Sequence, residues 1–148
     1  MRKSGLIVLA ALFVFVMVSE VTASDGIKWY PYGDGFELGK DKSKKIYINF
    51  FSDWCSYCRM MNEKTFKDKD VISYLNDNYI AIRVNSEKEP ELANQYKVNG
   101  LPSNWFVTEE GEPIGNQPGY VGPDDMLKLL KYIKTDSYKK MPFSQFDK

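Results

Sequence analysis

The two cysteines of this 148-residue chain lie three positions apart, at Cys55 and Cys58. A thiol pair at this spacing can be oxidised to a disulfide and reduced again, which is the chemistry of thiol–disulfide exchange. The pair follows a β-type run at 46–51 and precedes a helix-prone run at 59–64. Because a helix N-terminus offers free backbone N–H groups and a partial positive charge, it stabilises a thiolate. The sequence therefore predicts a redox-active pair at the start of a helix.

The composition restricts the other chemistries open to cysteine. Small exported domains stapled by disulfides carry several pairs along their length, and a bridge over three positions closes too small a loop to add much stability. The chain has no histidine, which excludes His–metal sites, Cys–His nucleophile pairs and covalent haem attachment. Its formal net charge is zero. Nothing in this charge balance predicts a nucleic-acid partner.

The N-terminus has the pattern of a secretory signal. Arg2 and Lys3 precede the uncharged run Leu6 to Val18, and the small-residue segment Val21-Thr22-Ala23 follows. The apolar run is shorter than the roughly 20 residues that a membrane-spanning helix needs. We therefore expect a signal peptide at 1–23 and an exported protein, either periplasmic or secreted, with a retained N-terminal anchor as the alternative.

The rest of the chain has the length of one domain. We expect an irregular lead-in with at most one short strand at 24–45, and a domain at 46–148. Strands are predicted at 46–51, 79–85 and 104–108, with a further strand near Ile114 or at 119–121. Helices are predicted at 59–67, 71–78, 90–96 and from Gly122 onwards. This order predicts an α/β fold with a central mixed β-sheet flanked by helices.

From 46 to 133 the chain resembles the thioredoxin superfamily. In that family a buried strand leads into a Trp-Cys-x-x-Cys motif at a helix start, as 46–51 leads into Trp54-Cys55-Ser56-Tyr57-Cys58. The family then has a proline, a tyrosine six residues later and a cis-proline six residues beyond that. The corresponding residues here are Pro90, Tyr96 and Pro102. The resemblance implies a thioredoxin-like fold.

The resemblance also implies roles for individual residues. Cys55 would be the exposed nucleophile and Cys58 the more buried resolving thiol. Pro102 would be the cis-proline that faces the disulfide, where its lack of a backbone N–H leaves the preceding carbonyl free for a substrate peptide. Trp54, Tyr57, Leu101 and Pro102 are the candidate residues of the substrate groove.

The chain departs from the family in the surroundings of the resolving thiol. Thioredoxins have a buried Asp six residues before the first cysteine, where this chain has Asn49, and the partner Lys on the next strand is Arg83. An amide takes no proton at neutral pH, so Asp53, Glu63 or water are the candidate proton acceptors. Asn49 as an ordinary hydrogen-bonded strand residue and Arg83 as a solvated charge are the simpler interpretations.

We expect an exported thiol–disulfide oxidoreductase that uses Cys55 and Cys58 to reduce or exchange disulfides in exported proteins. The resemblance implies no bound cofactor and a membrane or soluble dithiol protein as donor, and we expect a monomer. A Cu(I) carrier is the alternative, in which the two thiolates bind the metal with Met60 or Met61. A redox-silent interaction module is a third possibility.

Overall fold

The structure is a computed structural model that describes residues 25–146. The strands are β1 Trp29–Tyr30, β2 Lys45–Phe51, β3 Tyr79–Asn85, β4 Ser103–Val107 and β5 Pro113–Pro118. The helices are α1 Tyr32–Asp41, α2 Ser56–Glu63, α3 Lys69–Asn78, α4 Pro90–Gln95 and α5 Pro123–Lys134. Single 3₁₀ turns cover Thr65–Lys67, Ser137–Lys139 and Phe143–Gln145.

The five strands form one mixed sheet in the order β1-β3-β2-β4-β5. β3 runs parallel to both β1 and β2, whereas β4 is antiparallel to β2 and to β5. In this register Asn49 of β2 lies opposite Arg83 on β3 and opposite Asn104 on β4. The prediction of a mixed sheet with flanking helices is confirmed, and the register brings three polar side chains into one row across it.

The central strand β2 is buried on both faces, as its apolar composition predicts. Side chains alternate along a strand, so Ile46, Ile48 and Phe50 pack on the face covered by α1 and α4. Tyr47 belongs to the opposite face, where α2, α3 and α5 supply the large apolar side chains. Asn49 shares the face of Tyr47 and is 1% exposed. The helix that carries the cysteines therefore lies over the side of the sheet that holds the polar row.

The segment before β2 is not an irregular lead-in, so that prediction is wrong for 32–41, which form α1. Gly33, Gly35 and Gly39 lie within this helix, and glycine is a poor helix former, which hides the element in the sequence. The two buried glycines let α1 approach the sheet, because a Cβ on Gly35 would collide with Ile82 and one on Gly39 with Ile46. Close packing against β2 and β3 thus compensates for weak helix propensity.

The C-terminal helix begins where the sequence pattern predicts it. Pro123 begins α5 and two acidic residues occupy its first turn, where they favour the helix dipole. The last strand covers 113–118, which confirms the alternative near Ile114 and not the one at 119–121. After α5 the tail folds back, and Phe146 is buried in the core beside Tyr132.

The predicted signal peptide lies outside the described residues. Between 25 and 146 no helix is long and apolar enough to cross a membrane.

Candidate active site

Cys55 is the N-cap of α2. The backbone of Cys55 is extended, and its Sγ accepts a hydrogen bond from the backbone N–H of Cys58 at 3.1 Å. Its carbonyl accepts the N–H of Arg59, also at 3.1 Å. The sulfur therefore occupies the place that a Ser or Asp oxygen takes in an ordinary cap. A thiolate at this position would receive both the N–H bond and the positive end of the helix dipole.

Cys55 and Cys58 are joined by a disulfide bond, with their Cα atoms 5.2 Å apart. That separation is within the usual range for a bridge. The two sulfurs differ in access, since Cys58 is 3% exposed whereas Cys55 is partly open to solvent. An incoming thiolate or disulfide therefore meets Cys55 first. This order agrees with the roles that the resemblance implies, which stay predictions until they are tested in solution.

An open groove of about 560 Å³ lies beside Cys55. Its lining residues come from the turn before α2, the start of α2, the end of β3 and the loop before β4: Trp54, Cys55, Ser56, Tyr57, Ser86, Val98, Asn99, Gly100 and Leu101. The Trp54 side chain is 85% exposed and that of Tyr57 is 59% exposed. The groove thus presents apolar surface on both sides of the accessible sulfur.

Two residues of the predicted groove belong to the loop that precedes β4. The Leu101–Pro102 peptide bond is cis, in agreement with the sequence-based expectation. Leu101 lines the groove and is partly exposed, whereas Pro102 is buried and is not among the residues that line the groove. The Pro102 carbonyl accepts the N–H of Gly119 at 2.8 Å. This bond ties the loop to the chain just after β5.

A buried network of neutral polar groups lies across the sheet on the side covered by α2. The Tyr47 hydroxyl donates to Asn104 Oδ1 at 2.7 Å, and Asn49 Nδ2 donates to the same oxygen at 3.1 Å. Asn104 Nδ2 in turn donates to the carbonyls of Gln117 and Gly119 at 3.0 and 3.1 Å. Burial raises the pKa of Tyr47, so its hydroxyl keeps the proton that it donates. Asn49 is therefore a fixed donor in this network.

Arg83 is the cation nearest to this network along the sheet, and it is only half-buried. Its guanidinium carbon lies 4.2 Å from the ring centre of Phe51, 5.4 Å from that of Trp29 and 5.9 Å from that of Phe66. One Nη donates a short hydrogen bond to Asn62 Oδ1 on α2. Burial lowers the pKa of Arg83, but a guanidinium stays protonated at neutral pH. The interpretation of Arg83 as a solvated charge is therefore wrong.

The candidate carboxylates occupy other positions. Asp53 is exposed in the turn before α2, and its Oδ2 accepts a 3.4 Å hydrogen bond from Asn85 Nδ2. Glu63 is exposed at the last residue of α2, five positions beyond Cys58 and so off its face of the helix. The structure thus places Asn49 opposite Arg83. The negative charge of Asp53 acts to raise the pKa of Arg83, against the larger effect of burial.

A Cu(I) site is not supported by the surroundings of the cysteines. Met61 is fully buried in the core beneath α2, among aromatic and aliphatic side chains. Met60 is only partly exposed. In residues 25–146 no group of three or more His, Cys, Asp or Glu side chains is arranged to hold a metal ion.

Sequence reasoning missed three residues of the site. Asn104 is the acceptor at the centre of the polar network, yet in the sequence it is one polar residue at the edge of a strand. Asn62 contacts Arg83, and its position four residues after Cys58 was the available signal, since such residues share a helix face. Ser86 lines the groove, and its buried Oγ has no hydrogen-bond partner among the described residues.

The sequence model of the thioredoxin-like domain matches residues 35–134. The chain belongs to this family. It is 28% identical over 120 residues to spermatogenesis-associated protein 20 of Rattus norvegicus, covering 74% of the chain and 15% of that protein. It is 29% identical over 119 residues to the thiol:disulfide interchange protein DsbD of Campylobacter jejuni, covering 75% of the chain and 21% of that protein. The chain thus spans less than a quarter of these relatives.

Among solved structures, the chain is similar to a thioredoxin from Thermus thermophilus, with 28% sequence identity and a TM-score of 0.66. The match covers 72% of this chain and 86% of the thioredoxin. The match combines sequence similarity with a shared fold over most of that thioredoxin. The described part of the chain is therefore a thioredoxin-like domain with an oxidised Cys-x-x-Cys pair at its usual helix start.

Proposed function

We propose that this chain is an exported thiol–disulfide oxidoreductase that reduces or exchanges disulfides in other exported proteins. The observation that carries the proposal is the Cys55–Cys58 disulfide at the N-terminus of α2, with Cys55 open to the groove and Cys58 buried. Membership of the thioredoxin-like family supports it, as does the similarity to a protein named for thiol:disulfide interchange.

The reaction in the reducing direction has two steps. The Cys55 thiolate attacks one sulfur of a substrate disulfide, the substrate S–S bond breaks, and the released substrate thiolate takes a proton from water. The Cys58 thiolate then attacks Cys55 Sγ, the Cys55–substrate bond breaks, and a second substrate thiol is released. Two electrons pass from the dithiol to the substrate, which leaves the Cys55–Cys58 disulfide to be reduced by a donor.

The groove supplies the means of holding a substrate during these steps. Trp54 and Tyr57 flank Cys55 with exposed aromatic surface, which suits apolar side chains next to the substrate disulfide. Leu101 lies on the far wall of the groove, and its carbonyl precedes Pro102. We assign the Leu101 carbonyl to the contact with substrate backbone, with the cis-proline Pro102 as the residue that orients this carbonyl. No cofactor takes part in this scheme, so the donor is another dithiol protein, in the membrane or in solution.

Export rests on the N-terminal pattern of two basic residues, an apolar run and a small-residue segment. Its test is the N-terminal sequence of the protein recovered from the exported fraction. A chain that begins near Ser24 supports cleavage of a signal peptide. A chain that still begins at Met1 and stays with the membrane favours the retained anchor.

The experiment for the activity is equilibration of the protein with glutathione or dithiothreitol buffers, which gives the reduction potential of the pair. Reductases and oxidases of this fold differ by about 150 mV, which is roughly 7 kcal/mol for two electrons. A potential near that of thioredoxin supports reduction as the physiological direction. A pair that does not change redox state across the accessible range would contradict the proposal and favour an interaction module.

A further inference from the structure

The inference concerns Arg83, the cation that the structure anchors beneath the cysteine helix, and it rests on the proposed function. Arg83 lies on β3 directly opposite Asn49. Its guanidinium stacks over Phe51 and bonds Asn62 on α2. Because Asn62 follows Cys58 by four residues, the two side chains lie on the same helix face, with Cβ atoms about 5–6 Å apart. The contact therefore holds a positive charge against the face of α2 that carries Cys58.

The other polar and titratable side chains around Arg83 are either uncharged or exposed to solvent. Within residues 25–146 Arg83 makes no salt bridge with a carboxylate, and its Nε is buried without a hydrogen-bond partner. The polar network beside it is uncharged. The remaining titratable or charged groups on the elements packed around it are Tyr47, Asp53, Arg59, Glu63, Lys64 and Lys67, of which all except Tyr47 are exposed.

Half-burial of a cation costs free energy unless an anion lies close to it. Removal from water disfavours a charge, and the aromatic rings and one amide oxygen return only part of that loss. When the disulfide is reduced, the groups next to Asn62 on α2 include the Cys58 thiol. A thiolate there would be favoured by the positive charge of Arg83, because a nearby opposite charge favours the ionised form of a titrating group. Reduction thus adds a buried group that can become an anion, whereas the carboxylate that already acts on Arg83, Asp53, is exposed and forms no salt bridge with it among residues 25–146.

We propose that Arg83, held by Asn62, is the positioning residue that stabilises the Cys58 thiolate for the resolving step. Water is the proton acceptor in this step and no buried carboxylate is needed, because the fixed positive charge favours the thiolate and the thiol then ionises more readily. The neutral Asn49 is part of the same arrangement. A carboxylate there would pair with Arg83 and cancel the field at Cys58.

The test is a titration of Cys58 in the reduced Cys55→Ser variant, followed by thiolate ultraviolet absorbance. In that background Arg83→Met keeps an unbranched apolar stem over the rings and removes the charge. We expect its midpoint to rise by about one pH unit, which is about tenfold less thiolate below the midpoint. Arg83→Lys keeps the charge and should recover most of the shift. Asn62→Ala should give a smaller shift in the same direction as Arg83→Met.

The matched control is Arg59→Met, which removes an exposed cation one position from Cys58. Solvent and salt screen such a charge, so its midpoint should change by less than about 0.3 pH unit. Equal midpoints in the parent and Arg83→Met, or equal shifts for Arg83→Met and Arg59→Met, would overturn the proposal. If Arg83→Met does not fold by circular dichroism, then Asn62→Ala decides, and an unchanged midpoint there overturns it.

Kinetics give a second readout in the protein with both cysteines. The rate of mixed-disulfide resolution below the midpoint should fall about tenfold in Arg83→Met and converge with the parent at high pH, where Cys58 is ionised in both. A purely structural role for Arg83 would lower the rate equally at every pH. The titration does not need turnover, so a redox-silent chain would fail the equilibration experiment above and still answer this one.

Discussion

Replacement of Asn49 by Asp tests whether the buried network needs a hydrogen-bond donor at this position. The two side chains have nearly the same shape, so the change adds charge without adding volume. Asn49 is 1% exposed, and its Nδ2 donates to Asn104 Oδ1. Asn104 cannot turn its amide to help, because its Nδ2 already donates to two backbone carbonyls. An ionised carboxylate at 49 would face an acceptor oxygen, whereas a protonated one could donate to it.

The pKa of the introduced carboxyl should therefore be raised in the folded state. Burial in this network favours the neutral form, and fully buried carboxyls shift by up to about 3–5 units. Arg83 opposes part of this shift, so we expect about 2–3 units. Each unit corresponds to about 1.36 kcal/mol, and Asn49→Asp should therefore be about 3–4 kcal/mol less stable than the parent at neutral pH.

The sign of the pH dependence follows from the raised pKa. Below the unfolded-state pKa of about 3.9 the carboxyl is protonated in both states, and the variant should approach the stability of the parent. Above it the unfolded chain loses the proton and the folded chain keeps it, so stability falls by about 1.4 kcal/mol per pH unit until the folded pKa is reached. Urea unfolding of both oxidised proteins between pH 4 and pH 8 measures this difference.

A stability difference that is the same at every pH in this range would refute the reasoning, because it would mean that the carboxyl titrates as it does in the unfolded chain.

A second check combines Asn49→Asp with Arg83→Met. Without the cation the introduced carboxyl loses its one favourable charge, so the double variant should be less stable than the sum of the two single changes predicts. In the reduced enzyme an ionised carboxyl at 49 would offset the positive charge of Arg83 at Cys58, so we expect slower mixed-disulfide resolution.

Three further changes test the assignments of the pair and the packing around it. Cys58→Ser should trap substrates as mixed disulfides through Cys55, whereas Cys55→Ser should not; equal trapping on non-reducing gels would contradict the assigned order. Met61→Ala empties a fully buried site under α2 and should cost about 2–5 kcal/mol in urea unfolding, so a loss below about 1 kcal/mol would show that the core collapses into the space. Asp68 caps α3 by accepting from the N–H groups of Asp70 and Val71, so Asp68→Ala should cost about 0.5–2 kcal/mol, while the exposed control Asp70→Ala should cost clearly less.

Strong local patterns predicted most of the fold. The run Tyr79–Asn85 is predicted as a strand and is one with the same bounds, because its β-branched and aromatic residues have no competing helical period. The helix at 71–78 was also predicted and begins two residues earlier, at Lys69, where the Asp68 cap sets its start. The helix α1 was missed because its glycines carry no propensity signal. What stabilises it is contact with β2 and β3, which local sequence does not show.

The candidate site also has one part that local sequence predicts and another part that depends on the fold. Cys55, Cys58 and Trp54 are adjacent in sequence, so their spacing fixes their relation once α2 begins at Ser56. The polar network depends on register instead. Asn49, Arg83 and Asn104 lie on three strands far apart in the chain, and a shift of one residue in any pairing would turn that side chain to the other face of the sheet. Sequence alone therefore shows two departures from thioredoxin, at Asn49 and Arg83, without showing that they belong together.

In the observed register, the departure at Asn49 changes the charge balance under the cysteine helix, because Arg83 keeps the positive charge of the family's Lys. A neutral donor at 49 removes the negative charge that would otherwise balance a cation at 83, and the guanidinium then points to α2 through Asn62. In the oxidised protein the carboxylate that acts on Arg83 is Asp53, which is exposed and forms no salt bridge with it among residues 25–146, whereas reduction of the disulfide adds a buried thiol at Cys58. The resolving thiolate is thus the group whose charge completes the site, and the field that stabilises it is built into the β-sheet rather than into the motif.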